Sequence, residues 1–177
     1  MLEPPRPPLR DRELTLRPPD KRDLVAIGRI LDDPGWRAAF GPATQTPDEL
    51  LEWNRKGWRD GRAATFAICA PDDVCVGHVW LNLSPLDAKR AAVGYWLQRE
   101  ARGMGFATRA VKLVSAWAFR ELGLARLAIL VEPANRPSQR VAELAGFQRE
   151  GVLRSYADVG ERRVDYVSYS LLPGDRT

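Results

Sequence analysis

The residues best suited to chemistry lie together at 91–122, where a strand pattern runs through Arg99-Glu100-Ala101-Arg102-Gly103-Met104-Gly105 straight into a helical pattern. A strand, a glycine loop and a helix start aim unpaired backbone N–H groups, and the positive end of the helix dipole, at one point. Such a point binds an anion without any side-chain charge. Gly103 and Gly105 permit dihedrals that other residues avoid and let a bulky ligand approach the backbone. Arg99, Arg102 and Arg109 add positive charge. The expected guest is a phosphate, most simply a pyrophosphate. Phe106 and Ala107 follow Gly105, so the loop lacks the Lys-Ser/Thr of a nucleoside-triphosphate loop. A dinucleotide fingerprint needs a doubly wound parallel sheet, and the strands before this loop read as antiparallel.

Periodicity supplies the elements that must hold this loop. Leu14–Arg17 alternates as a first strand, and residues 21–32 place Leu24, Ile27, Ile30 and Leu31 at helical spacing. Asp33-Pro34-Gly35 is expected to end that helix and leave Trp36 and Phe40 in a loop. Thr46-Pro47-Asp48-Glu49 carries a capping box for a helix to about Asp60, with Leu50, Trp53 and Lys56 or Gly57 on its apolar face. Ala64–Ala70, Val74–Leu83 and Ala91–Gln98 form an antiparallel meander, with turns at 71–73 and 86–89. The helix after the loop has an apolar stripe from Ala107 to Leu122 and stops at Gly123. Leu127–Glu132 is a buried strand, a helix follows to Ala145-Gly146, and Phe147–Leu153 and Arg163–Leu172 close the chain. The fold class is therefore α/β (an α+β mixed sheet), mostly antiparallel, with one right-handed βαβ crossover from the fourth strand to the fifth.

The 177 residues fit one domain, expected over 13–173, and residues 1–12 form a Pro/Arg-rich tail expected to be disordered. Net charge is +4, but the basic residues are spread along the chain. A nucleic-acid partner usually leaves a clustered footprint, so none is expected. No stretch approaches the ~18 apolar residues of a membrane span, and no leader-type apolar segment opens the chain, so the expected location is the cytoplasm. Cys69 and Cys75 read as small, reduced core residues. His78 lies near Cys75, but there is no zinc-type ligand quartet, and no metal is expected.

Arg102-Gly103-Met104-Gly105-Phe106-Ala107 fits Arg/Gln-x-x-Gly-x-Gly/Ala, and in this it resembles the acyl-CoA pyrophosphate motif of the GNAT N-acetyltransferase superfamily. Tyr95-Trp96-Leu97, Val131-Glu132-x-x-Asn135-x-x-Ser138, Gly146-Phe147-x-x-Glu150-Gly151 and Tyr169-Ser170-Leu171-Leu172 are similar to its RimJ/RimL-like branch, and the likeness runs from 14 to 172. The resemblance implies the GNAT acyl-CoA N-acyltransferase fold, with the fourth and fifth strands splayed into a V that holds pantetheine. It implies acetyl-CoA, or another acyl-CoA such as succinyl-CoA, as co-substrate. The acceptor would be a primary amine, on a protein N-terminus or a small molecule, attacking directly in a ternary complex. Homodimers are common among similar proteins. The alternative is a CoA-binding module of this fold with little or no turnover.

By the same resemblance, pantetheine pairs with the backbone of Trp96, Leu97 and Gln98, and the pyrophosphate sits on Arg102, Gly103, Met104, Gly105, Phe106, Ala107 and Thr108. Asn135 and Ser138 would hold the pantetheine arm and the thiol. The Leu97 N–H could polarise the thioester carbonyl. Ser138 could protonate the leaving thiolate, with Tyr156 as the backup acid, although Ser138 also fits as the third residue of a helix capped by Asn135. Trp36, Tyr95 and Asp158 are candidate acceptor contacts. No general base stands out: Asp158 or a water chain could serve, while Glu132 and His78 are weakly placed. Glu150 reads as a brace for the sheet.

Overall fold

The computed structural model describes residues 2–40, 44–83, 88–160 and 162–175. Its strands are β1 (Leu9–Arg10), β2 (Thr15–Arg17), β3 (Ala63–Cys69), β4 (Cys75–Leu83), β5 (Arg90–Leu97), β6 (Arg126–Val131), β7 (Gln148–Val159) and β8 (Arg162–Leu171). Its helices are α1 (Leu24–Asp32), α2 (Pro34–Phe40), α3 (Pro47–Asp60), α4 (Phe106–Leu122) and α5 (Arg136–Leu144). The strands form one sheet in the order β1-β2-β3-β4-β5-β6-β8-β7. Every neighbouring pair is antiparallel except β5 with β6, which are parallel and joined through α4. This is the mixed, mostly antiparallel sheet expected. No described helix is long and apolar enough to cross a membrane.

Side-chain alternation gives the sheet two apolar faces. On one, Phe66, Ile68, Val79, Leu81, Val93 and Leu97 join Val111, Val114 and Trp117 of α4 in the main core. Full burial of a side chain such as Phe66 or Leu81 contributes about 1.5–3 kcal/mol each. The Trp58, Phe66 and Trp117 rings meet at 5.2–5.9 Å. On the other face, Ala26 of α1 packs on Ala67, Cys69 and Cys75. Ile27 and Leu31 of α1 also pack on Leu51 of α3.

The βαβ unit matters most for function. β5 and β6 pair at Arg90–Arg126, Ala91–Leu127 and Ala92–Ala128. β5 then continues to Leu97 and β6 to Val131 without further pairing between them. These are the fourth and fifth strands of the sequence reading, renumbered because β1 was not foreseen, and they splay as the resemblance implied.

Four expectations need correction. The tail is tied to the body: the Leu2 N–H donates to Trp58 O at 3.0 Å, and Leu9–Arg10 pairs with β2. Prolines without N–H groups do not prevent the leucines between them from packing. Residues 34–40 form α2 and not a loop. Asp33 caps it, accepting from the Gly35 and Trp36 N–H groups at 2.7 and 3.2 Å, and Pro34 suits a first turn. The capping box of α3 is present as read, but the helix buries Leu51, Asn54 and Trp58 and leaves Trp53 59 % exposed. The Trp58 Nε1–H bond to Thr65 O and its ring contacts set that rotation. β7 runs to Val159, beyond the expected end at Leu153. Residues 86 and 87 of the expected 86–89 turn lie outside the described residues.

Candidate active site

At the C-terminal end of β5 the chain makes one tight turn, in which the Ala101 N–H donates to Gln98 O and the Arg102 N–H to Arg99 O. From Gly103 through Thr108, no backbone N–H has an acceptor among the described residues, until the Arg109 N–H bonds to Gly105 O at 3.1 Å. Gly105 is the N-cap of α4 and offers no side-chain cap. Gly103 and Gly105 have φ of 79° and 82°, and a Cβ on either would meet nothing within 4 Å. The glycines permit the backbone course and leave the loop bare on its outer side. Consecutive unpaired amides at the start of a helix form an anion cradle.

Two arginines expected to add charge are already engaged. The Arg102 Nε donates to Leu97 O and one terminal nitrogen to Asp33, both at 3.0 Å, while its guanidinium lies 4.8 Å from the Trp96 ring centroid. Arg102 therefore braces the end of β5 against the start of α2, and its own amide is used, so it is not part of the cradle. Arg109 pairs with Asp11 of the tail at 3.2 Å. Arg99 is exposed.

Between the parted strands lies a cleft of about 620 Å³. Its backbone wall follows from one bond. The Gln98 N–H donates to Val76 O at 2.9 Å, so Leu97 and Gly77 form a pair that exchanges no hydrogen bonds. The Leu97 N–H, and that of Tyr95 two residues deeper, then face the cleft. The Trp96 amide faces β4, and the Gln98 side chain donates to Cys75 O at 3.1 Å. Of the Trp96–Gln98 segment, Leu97 supplies the amide and Trp96 an indole wall; Gln98 is bound to the sheet.

Side chains divide the cleft in two. Toward α5, the Tyr95 hydroxyl donates to Ser138 O at 3.1 Å, and burial pushes its phenol up to about 12. Asn135 caps α5 by accepting from the Ser138 N–H at 3.1 Å, which is the structural role foreseen as an alternative. Asn135 and Ser138 both line the cleft. Toward α2, the walls are Trp80, Gly94, Trp96, Glu132, Arg162 and Tyr166, with Gly35, Ala38 and Ala39 of α2 beside them. Gly94 is fixed by Trp80: a Cβ there would lie 2.4 Å from the indole.

Several expected residues lie elsewhere. Trp36 packs edge-on against Trp80 and Trp96 at 6.1 and 5.7 Å, behind the cleft wall. Tyr156 is 52 % exposed and touches the Tyr166 ring, and Asp158 pairs with Arg163 at 2.8 Å on the outer hairpin. The β7–β8 register is irregular between Leu153 and Ala157, where Ser155 has φ 50°. His78 is buried away from the cleft, and desolvation holds it down at about 4. Burial pushes the Cys69 and Cys75 thiols up to about 12, so they are inert. Glu150 accepts from Arg126, Ser168 and Ser170, as a brace does. Sequence reasoning missed Trp80, Arg162 and Tyr166. The β6–β8 register, once known, continues from Val131–Val167 to set Glu132 beside Tyr166.

The site thus combines an anion cradle at a helix start with a V between two parallel strands. The model of the acetyltransferase (GNAT) domain matches residues 13–148. The chain belongs to the GNAT acetyltransferase family. It is similar to the uncharacterized N-acetyltransferase p20 of Bacillus licheniformis, at 36 % identity over 90 % of this chain and 92 % of that protein. Among solved structures it is similar to Mycobacterium smegmatis RimJ in complex with CoA-disulfide, at 27 % identity and a TM-score of 0.81, over 94 % of this chain and 86 % of that one. The ribosomal-protein-S5-alanine acetyltransferase of Vibrio fischeri shares the fold at 22 % identity and a TM-score of 0.80, over 93 % and 96 % of the two chains. This GNAT acetyltransferase is thus an enzyme, and its likeness to RimJ extends over nearly the whole chain.

Proposed function

We propose that this GNAT enzyme transfers an acetyl group from acetyl-CoA to a primary amine, on a protein N-terminus or a small molecule, by direct attack in a ternary complex. The observation that carries the reading is the run of unpaired amides at Gly103–Thr108, which follows closely on the stretch of β5 where Tyr95 and Leu97 turn N–H groups away from β4 and have no β6 partner. The diphosphate rests on the first set. Pantetheine runs between β5 and β6 and takes the place of the missing strand pairing. The thioester carbonyl then lies against the cleft-facing N–H groups of β5, which stabilise the oxyanion as it forms. CoA enters from the α5 side, and the acceptor meets it from the α2 side, so neither must leave before the other binds. The RimJ structure with CoA-disulfide supports a CoA ligand for this fold.

Thiol release from acetyl-CoA with a panel of amines tests the reading. Release that depends on an added amine is expected; tight CoA binding without release for any amine would favour a module without turnover. Ser138 lines the cleft near the expected sulfur position. Ser138→Ala is expected to lower kcat by about 10-fold or more, at the weak end of acid–base effects, while leaving acetyl-CoA affinity nearly unchanged. An unaltered kcat would remove Ser138 from the mechanism and leave it only its place in α5.

A further inference from the structure

Glu132 directly follows β6, on the α2 side of the cleft, and among the described lining residues it is the one carboxylate. Its ion pair with Arg162 is long, at 3.9 Å, and the arginine side chain is 62 % exposed. Exposed pairs of that length contribute little. No other described group donates a hydrogen bond to it, so its oxygens remain available to a guest. Tyr166 is its neighbour across the strand pair, and its phenol is pushed up by burial and then by the Glu132 charge. The remaining walls are Trp80, Trp96, Gly35, Ala38 and Ala39. β4, β5 and α2 therefore present no charged side chain to Glu132; β8 presents Arg162 and Tyr166. A carboxylate between indoles and small side chains attracts a cation more strongly than one in open water.

We propose that Glu132 receives the acceptor as a primary ammonium ion and takes its proton. This rests on the acetyl-transfer reading above. The ammonium nitrogen gives one proton to a Glu132 oxygen. The freed lone pair forms the C–N bond at the thioester carbon as the carbonyl π pair moves onto oxygen. The C–S bond then breaks, and a second proton from nitrogen goes to the departing sulfur, directly or through the Ser138 hydroxyl. The products are the amide and the CoA thiol, and Glu132 returns its proton to solvent at the open mouth.

The test uses the full chain with acetyl-CoA and three probes: an alanyl tetrapeptide amide, a seryl tetrapeptide amide and spermidine. For any probe the wild type acetylates, E132Q is expected to lower kcat/KM by about 10²-fold near neutral pH. Acetyl-CoA affinity by calorimetry should stay within about twofold, and E132D should retain an intermediate rate. About two pH units higher, the gap between E132Q and wild type should narrow, because more amine arrives already deprotonated. E132Q rates within about threefold of wild type on every probe used would overturn the assignment, as would a loss of rate matched by an equal loss of acetyl-CoA affinity. A wild type that binds acetyl-CoA but releases no thiol with any probe would instead overturn the transfer reading, and this assignment with it.

Discussion

Gly105→Glu is expected to reduce CoA affinity by about 10³-fold, through two effects that act at one atom. Gly105 sits at φ 82° as the N-cap of α4, and a Cβ there points into open space beside the unpaired amides. A residue other than glycine in this region costs about 1–2 kcal/mol of strain. The new carboxylate would also lie where the diphosphate binds, and like charges so placed cost several kcal/mol more. Gly105→Ala carries the strain without the charge and should lose about 10-fold. Calorimetric titration with CoA reads both variants, with circular dichroism to show that each is folded. Equal affinity in wild type and the glutamate variant would remove the loop from the cofactor site.

Asp23→Ala is expected to destabilise the fold by about 3–5 kcal/mol, the usual loss when one partner of a buried ion pair is removed. Asp23 is 2 % exposed and accepts from both terminal nitrogens of Arg17 at 2.8 and 2.9 Å, and from the Asp20 N–H at 2.8 Å. Arg17 also bonds Asp73 at 3.0 Å, so the pair ties β2 and the start of α1 to the β3–β4 hairpin. The truncation leaves a guanidinium, whose side chain is 11 % exposed, without its most buried partner and with Asp73 and a longer contact to Asp20 as its remaining carboxylates. Urea denaturation should show the drop in midpoint at an unchanged slope. The double variant Arg17→Met, Asp23→Leu should recover part of it, because no charge is then left buried. A loss of less than about 1 kcal/mol in Asp23→Ala would mean that the pair is solvated in solution.

The loop was legible because everything that shapes it is local. Two glycines fix the turn, the apolar stripe of α4 fixes the helix, and both lie within twenty residues. The splay of β5 and β6 has no local cause and entered through resemblance alone. α2 was misread because Pro34-Gly35 carries the signature of a stop, whereas Asp33 makes the same residues a start. Trp53 and Trp58 are the same residue type on the same helix, and only the long-range bond to Thr65 decides which one is buried. Arg102 illustrates the reverse case: a motif residue at the right position whose side chain turns inward to Leu97 O and Asp33. The α2-side wall of the cleft was the least legible part. It draws Trp80 from β4, Glu132 from beyond β6, Arg162 and Tyr166 from β8 and small residues from α2. Only the sheet order brings them together.

A crystal structure of the enzyme with CoA bears most directly on the whole account. The diphosphate oxygens should lie within hydrogen-bonding distance of N–H groups between Gly103 and Thr108, with the pantetheine chain bonded along the Leu97 edge of β5. CoA found at another surface, or the 103–108 amides turned inward onto protein acceptors while CoA is bound, would contradict it.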